Sequence, residues 1–150
     1  MHKKQLKTRA VGAPRTFMST KRGRKGDDTA RAAVGRRAKE EAAFAVVRNL
    51  REYGSYRGSR TGALRALRRR MPGCSAHALE NIFEICDQLF VAAIQLVNEN
   101  SSQLFAEWER DRATFPMGGL DCQLHQRFPQ QLLTTCQLAV AWVFYWHHLR

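Results

Sequence analysis

The first 26 residues contain no Asp and no Glu, against nine Lys or Arg. A segment with charge of one sign cannot neutralise itself through internal ion pairs, so its charge is left for solvent or for a partner. Serine is almost missing there as well, with Ser19 the only one. That scarcity argues against an organellar transit peptide, a class that is otherwise Arg-rich and acid-poor. No apolar stretch follows the basic start, so a secretory signal is not expected. Long hydrophobic runs are lacking too. The longest, Leu138 to Trp146, has nine residues, well below the roughly 20 that a membrane-spanning helix needs. Cysteine is limited to Cys74, Cys86, Cys122 and Cys136, all in the second half. An intracellular, reducing setting follows as the expectation (cytoplasmic, or nuclear or organellar in a eukaryote), with no disulfides. The chain also has no Gly-rich phosphate loop, no HExxH and no G-x-S-x-G. Glu107, Glu109 and Asp111 alternate as a solvated face would, so a protein that is not an enzyme is expected.

What is present is positive charge, unevenly placed. The chain has 150 residues, a formal charge of +12 and a hydrophobic content of 44%, enough for one domain with a core. Residues 27–73 hold twelve basic and five acidic residues, whereas residues 74–150 hold four basic and eight acidic ones. The first half is therefore built to meet a polyanion, and the second half is where apolar residues can form a core. The charge boundary falls at Met71-Pro72-Gly73.

Apolar periodicity gives an all-α fold: a small bundle of four to five helices with a disordered basic N-terminal arm. The arm is residues 1–26 and the single helical domain residues 27–150. A first helix is expected to begin after Asp27-Asp28-Thr29, which supply a cap and first-turn acid, and to reach about Glu52. Gly54 to Arg60 reads as a loop. A short second helix follows Thr61 and closes at Met71-Pro72-Gly73. Ser75 caps a third helix to about Asn98, apolar around so much of its circumference that it belongs at the centre. A fourth carries Leu104, Phe105 and Trp108 to about Arg112. Phe115 to Phe128 reads as a loop, and a last helix begins near Pro129. Val140, Trp142, Val143, Phe144 and Tyr145 have strand-like composition, so a short buried strand competes with that last helix.

Three features bear on function. The first is the basic arm with the Arg-rich second helix. Flexible cations follow a phosphate backbone without fixed geometry, and Arg adds bidentate phosphate contacts. The candidate contacts are Lys3, Lys4, Lys7, Arg9, Arg15, Lys21, Arg22, Arg24 and Lys25 in the arm, and Arg57, Arg60, Arg65, Arg68, Arg69 and Arg70 beyond it. Tyr53 and Tyr56 lie beside Arg51, Arg57 and Arg60, an aromatic–cationic combination suited to bases. The competing explanation is a solubilising tail plus an Arg helix paired internally with Glu80, Glu84 and Asp87. Binding to nucleic acid is the stronger expectation, with DNA and RNA undecided and other protein subunits as further partners. The alternative is a non-enzymatic interaction module whose arm meets an acidic protein or a membrane surface.

The second feature is a pair of Cys-x-x-His elements, Cys74–His77 and Cys122–His125. Two-residue spacing lets a loop or helix start present two zinc ligands from one side, which makes a structural zinc the one cofactor to consider. Two buried thiols with two ordinary histidines explain the same residues and are favoured. A Cys122–His125 thiolate–imidazole pair is the weakest reading. The third feature is the aromatic end, Trp142 to Trp146 with His147 and His148. It suits either a docking surface or a core helix packed on the third helix, and the core is favoured.

Overall fold

The computed structural model describes residues 24–53 and 59–150, with side chains placed for 28–52 and 59–150. Its elements are six α-helices: α1 (Arg24–Tyr53), α2 (Arg60–Arg70), α3 (Ala76–Glu99), α4 (Ser101–Arg110), α5 (Leu120–Arg127) and α6 (Leu133–Phe144). A π-helical turn, Tyr145–Leu149, follows. The all-α expectation holds, with one helix more than the four to five read from the sequence. The disordered-arm reading falls outside the described residues for 1–23, while 24–26, assigned to the arm by their charge, are the first residues of α1.

The core gathers around α3, whose Leu79, Phe83, Cys86, Leu89, Phe90, Ala93, Leu96 and Val97 are buried. Its neighbours bring Ala43, Val46 and Val47 from α1, Ala63 and Leu67 from α2, Leu104 from α4, Leu120 and Leu124 from α5, and Val140 and Phe144 from α6. Each large apolar side chain removed from water contributes about 1.5–3 kcal/mol. A helix apolar around most of its circumference is stable only where it can be covered on several sides, which is the position α3 takes. Ser75 caps it as expected, accepting from the Ala78 N–H at 3.2 Å.

The first helix begins at Arg24, before Asp27-Asp28-Thr29, so those residues lie inside it rather than capping it. Residues 28–39 are exposed on every side, and Glu40 is the first buried residue. Helix α2 starts at Arg60, two residues earlier than expected, because Ser59 is the cap, accepting from the Gly62 N–H at 3.1 Å. It runs antiparallel to α3, since Arg60 at its start reaches Glu84 while Arg65 and Arg68 further along lie with Ala76 and Glu80.

Two expectations are overturned near the C-terminus. Part of the expected Phe115–Phe128 loop is helix α5. The turn-forming residues occupy only 116–119, where Gly118 (φ 54°) and Gly119 (φ 75°) take the left-handed backbone that favours glycine. Beyond them Leu120 and Leu124, one helical turn apart, are both buried. The last helix starts at Leu133 rather than near Pro129. The strand alternative also fails, because Cys136, Ala139, Val140, Val143 and Phe144 are buried at helical spacing in α6.

What fixes the start of α6 comes from α1. The Glu40 carboxylate accepts from the Leu132 N–H at 2.9 Å and from the Thr135 hydroxyl. Arg36, one turn earlier on α1, donates to the same carboxylate at 3.3 Å and to the Gln130 carbonyl. No side chain of α6 itself caps its first turn, so Glu40 supplies the acceptor that orphaned N-terminal donors require.

Candidate nucleic-acid interface

Helix α2 buries Ala63, Ala66 and Leu67 and leaves its other side to solvent. That spacing, 63–66–67, turns Arg65, Arg68 and Arg69 outward together, while Arg70 stands in line with Ala63 and Ala66 at the end of the helix; all four are exposed. Among the described residues none of the four makes an ion pair or side-chain hydrogen bond. Arg68, Arg69 and Arg70 occupy the last turn of α2, where cations interact favourably with the helix dipole. That effect accounts for their tolerance there and leaves their guanidinium donors unused.

The pairing with α3 foreseen for this helix is real, and selective. Arg60 donates to Glu84 at 2.6 Å and its guanidinium lies 5.5 Å from the Phe83 ring centre. The Arg60 hydrogen bond, followed by one from Gln88, holds the Glu84 carboxyl below its ordinary range. Arg51 makes a two-pronged contact with Asp87, 2.7 Å on each prong. Fork-to-fork geometry of this kind fixes orientation as well as charge, although at a half-exposed site it contributes no more than about 1 kcal/mol. Glu80 forms no such pair. It shares a groove of about 220 Å³ with Thr61, Leu64, Arg65, Arg68, Ala76 and Leu79.

The sequence-derived site is therefore divided. Lys3, Lys4, Lys7, Arg9, Arg15, Lys21, Arg22 and Arg57 lie outside the described residues, as does Tyr56. Arg24 and Lys25 open the backbone of α1. Arg60 is committed to α3, which leaves Arg65, Arg68 and Arg69 as one exposed cationic face, with Arg70 exposed at its end. Two further cations were not singled out in the sequence. Arg31 and Lys39 sit on the fully exposed front half of α1 with no ion pair among the described residues. They were detectable as part of the charge excess of residues 27–73, and what separates them from Arg36 and Arg37 is that those two pair with Glu40 and Glu41.

The two Cys-x-x-His elements are placed differently. Cys74 is half-buried just before the Ser75 cap and His77 is exposed in the first turn of α3; Cys122 is exposed and His125 half-buried on α5. Among the described residues no three His, Cys, Asp or Glu side chains gather into a set that could hold a metal ion. No described helix is long and apolar enough to cross a membrane. No protein-family model, characterised protein or solved structure matches the chain.

Proposed function

We propose that this chain is a nucleic-acid-binding accessory protein, or a small subunit of a nucleoprotein assembly, that grips the phosphate backbone through residues 1–26 and the exposed face of α2. The observation that carries this reading is the set Arg65, Arg68, Arg69 and Arg70, four exposed guanidinium groups without a carboxylate partner among the described residues. A fold that only needed these charges for solubility has no reason to leave all four unpaired when Glu80 is close enough to share a groove with two of them. Phosphate contact of this kind carries little sequence preference. The proposed role is binding without catalysis.

The test is a salt series with labelled duplex DNA and duplex RNA on the full chain. Each cation that neutralises a phosphate on duplex DNA contributes about 0.9 to the slope of log K against log salt. Replacing the four arginines by Gln is expected to reduce that slope by roughly 3–4, and deleting residues 1–26 to reduce it further. Binding that is insensitive to salt, or absent for both duplexes at low salt, overturns the reading. If the full chain instead binds anionic vesicles or an acidic protein and the deletion abolishes that, the interaction-module reading replaces it.

A further inference from the structure

A second surface has a different chemistry. Helices α1 and α6 run in the same direction, with Glu40 at Thr135 and Arg48 at Trp142. Beside them lies a groove of about 490 Å³ lined by Phe44, Arg48, Phe115, Leu138, Trp142 and Tyr145. Its apolar residues are left to water to an unusual extent: Leu138 is 52% exposed, Phe115 46% and Tyr145 38%. Scattered exposed apolar residues need no explanation, but a contiguous set does. Here Phe115 and Tyr145 touch edge to face with ring centres 6.2 Å apart, and Tyr145 meets Trp142 at 5.8 Å. Leu138 and Trp142 on α6 and Tyr145 at the start of the π-helical turn follow one another at i, i+4 and i+7, a stripe about 10 Å long.

The charged side chain that lines this groove is cationic. The Arg48 guanidinium lies 4.6 Å from the centre of the Trp142 ring and makes no ion pair among the described residues. Its Nε and the Trp142 Nε1 are buried without a hydrogen-bond partner. Arg112, on the same loop as Phe115, likewise has no carboxylate partner and sits 5.0 Å from the Trp108 ring centre. Of the nearby acids, Glu41 is engaged by Arg37, and Asp111 by Thr114 and the Ala113 N–H, while Glu52, one turn beyond Arg48 on α1, lines the adjoining pocket that shares Trp142.

We propose that this groove is a docking site for an acidic amphipathic helix of a partner protein, whose apolar stripe covers Leu138, Phe115 and Tyr145 and whose carboxylate meets Arg48. The shape suits a helix laid along two parallel helices and anchored at i, i+3 or i+4, and i+7. Charge selects the occupant. The chain's own residues 1–26 carry only positive charge and would bring cations against Arg48. A second copy packed symmetrically would bring Arg48 against Arg48.

The experiment uses the full chain and two labelled helical peptides with the same Leu stripe, one with Glu on its polar face and one with Lys. Anisotropy is expected to show the Glu peptide binding at least about tenfold tighter than the Lys peptide. Leu138→Ser and, separately, Phe115→Ser are expected to weaken it about tenfold or more. Both replace exposed residues and change no charge, so a loss cannot come from the basic arm; circular dichroism verifies the helices. Arg48→Gln is expected to narrow the preference for Glu over Lys. Equal binding of the two peptides, no binding of the Glu peptide, or indifference to both serine substitutions overturns the proposal. So does self-association in sedimentation equilibrium that Leu138→Ser abolishes, because a second copy would then fill the groove.

Discussion

The Thr135 hydroxyl donates to the Glu40 carboxylate across 95 positions of sequence, and with it the start of the last helix is held by the middle of the first. Glu40 is buried, and its acceptors serve Leu132, Thr135 and Arg36. Removing the carboxylate strands those donors. Glu40→Ala is expected to cost about 2–4 kcal/mol, and Thr135→Val about 1–2 kcal/mol, because buried donors lose their partners. The double substitution should cost less than the sum, since both remove the same hydrogen bond. Urea denaturation monitored by circular dichroism measures all three; strict additivity would show that the two residues act separately.

The acidic member of the α2–α3 groove gives the functional reading a second handle. Glu80 lies with Arg65 and Arg68 without pairing to either, so its carboxylate should repel an approaching phosphate. Glu80→Gln is expected to tighten duplex binding by about two- to threefold at physiological salt, a screened single-charge effect. Arg60→Gln should leave binding nearly unchanged, because that guanidinium is held by Glu84. A large loss from Arg60→Gln would move the interface toward α3.

The four thiols should separate by reactivity. Burial pushes the Cys136 thiol up to about 11, with the Glu40 and Asp121 charges adding to it, and burial pushes Cys86 higher still. The thiolate is the reacting species. At pH 8 a disulfide reagent should consume Cys122 first, Cys74 more slowly, and Cys86 and Cys136 only on unfolding. The same samples test zinc. Cys74, His77, Cys122 and His125 are not gathered as one ligand set, so a chelator is expected to change neither these rates nor Tm. Stoichiometric zinc whose removal lowers Tm would restore the metal reading.

The C-terminal turn should respond to acid. His148 packs on the Phe105 and Phe144 rings, 5.6 and 5.7 Å away. Burial, then the His147 charge, lowers its pKa below the ordinary value of 6.5. A histidine whose folded pKa is depressed contributes fully above the unfolded value and loses that contribution as pH falls through the folded value. Tm is therefore expected to drop between pH 7 and pH 5, with a smaller drop in His148→Gln. An equal drop in both proteins would assign the acid sensitivity elsewhere.

Much of this molecule was legible in the chain. The buried stripe of α3 and the Ser75 cap follow from local spacing, and so does the Met71 end of α2. The helix α5 did not, because Pro116, Gly118 and Gly119 signal a turn within a fourteen-residue stretch whose Leu120 and Leu124 answer to the core. The start of α6 was also out of reach: its cap is supplied by Glu40, and no local pattern announces an acceptor from another helix. At the candidate site, the charge excess marked the helix on which Arg65, Arg68, Arg69 and Arg70 stand exposed and unpaired among the described residues. Which arginines stay free depended on where Glu84 and Asp87 fall on α3, and that is a property of packing.

The fully exposed front half of α1 has a consequence for electrostatic reach. From Arg24 to the first buried residue, Glu40, the helix runs about 24 Å. That is about three screening lengths at physiological ionic strength. The acidic residues packed around α3 and α4 are therefore too far along the axis to quench the field where residues 1–23 join the helix. A single rod thus sets a dense cationic end, residues 1–39 with thirteen basic and two acidic residues, apart from a remainder whose twelve basic and eleven acidic residues nearly balance. Shortening it, rather than altering any charge, should bring the two fields into overlap and slow capture of a polyanion at low salt.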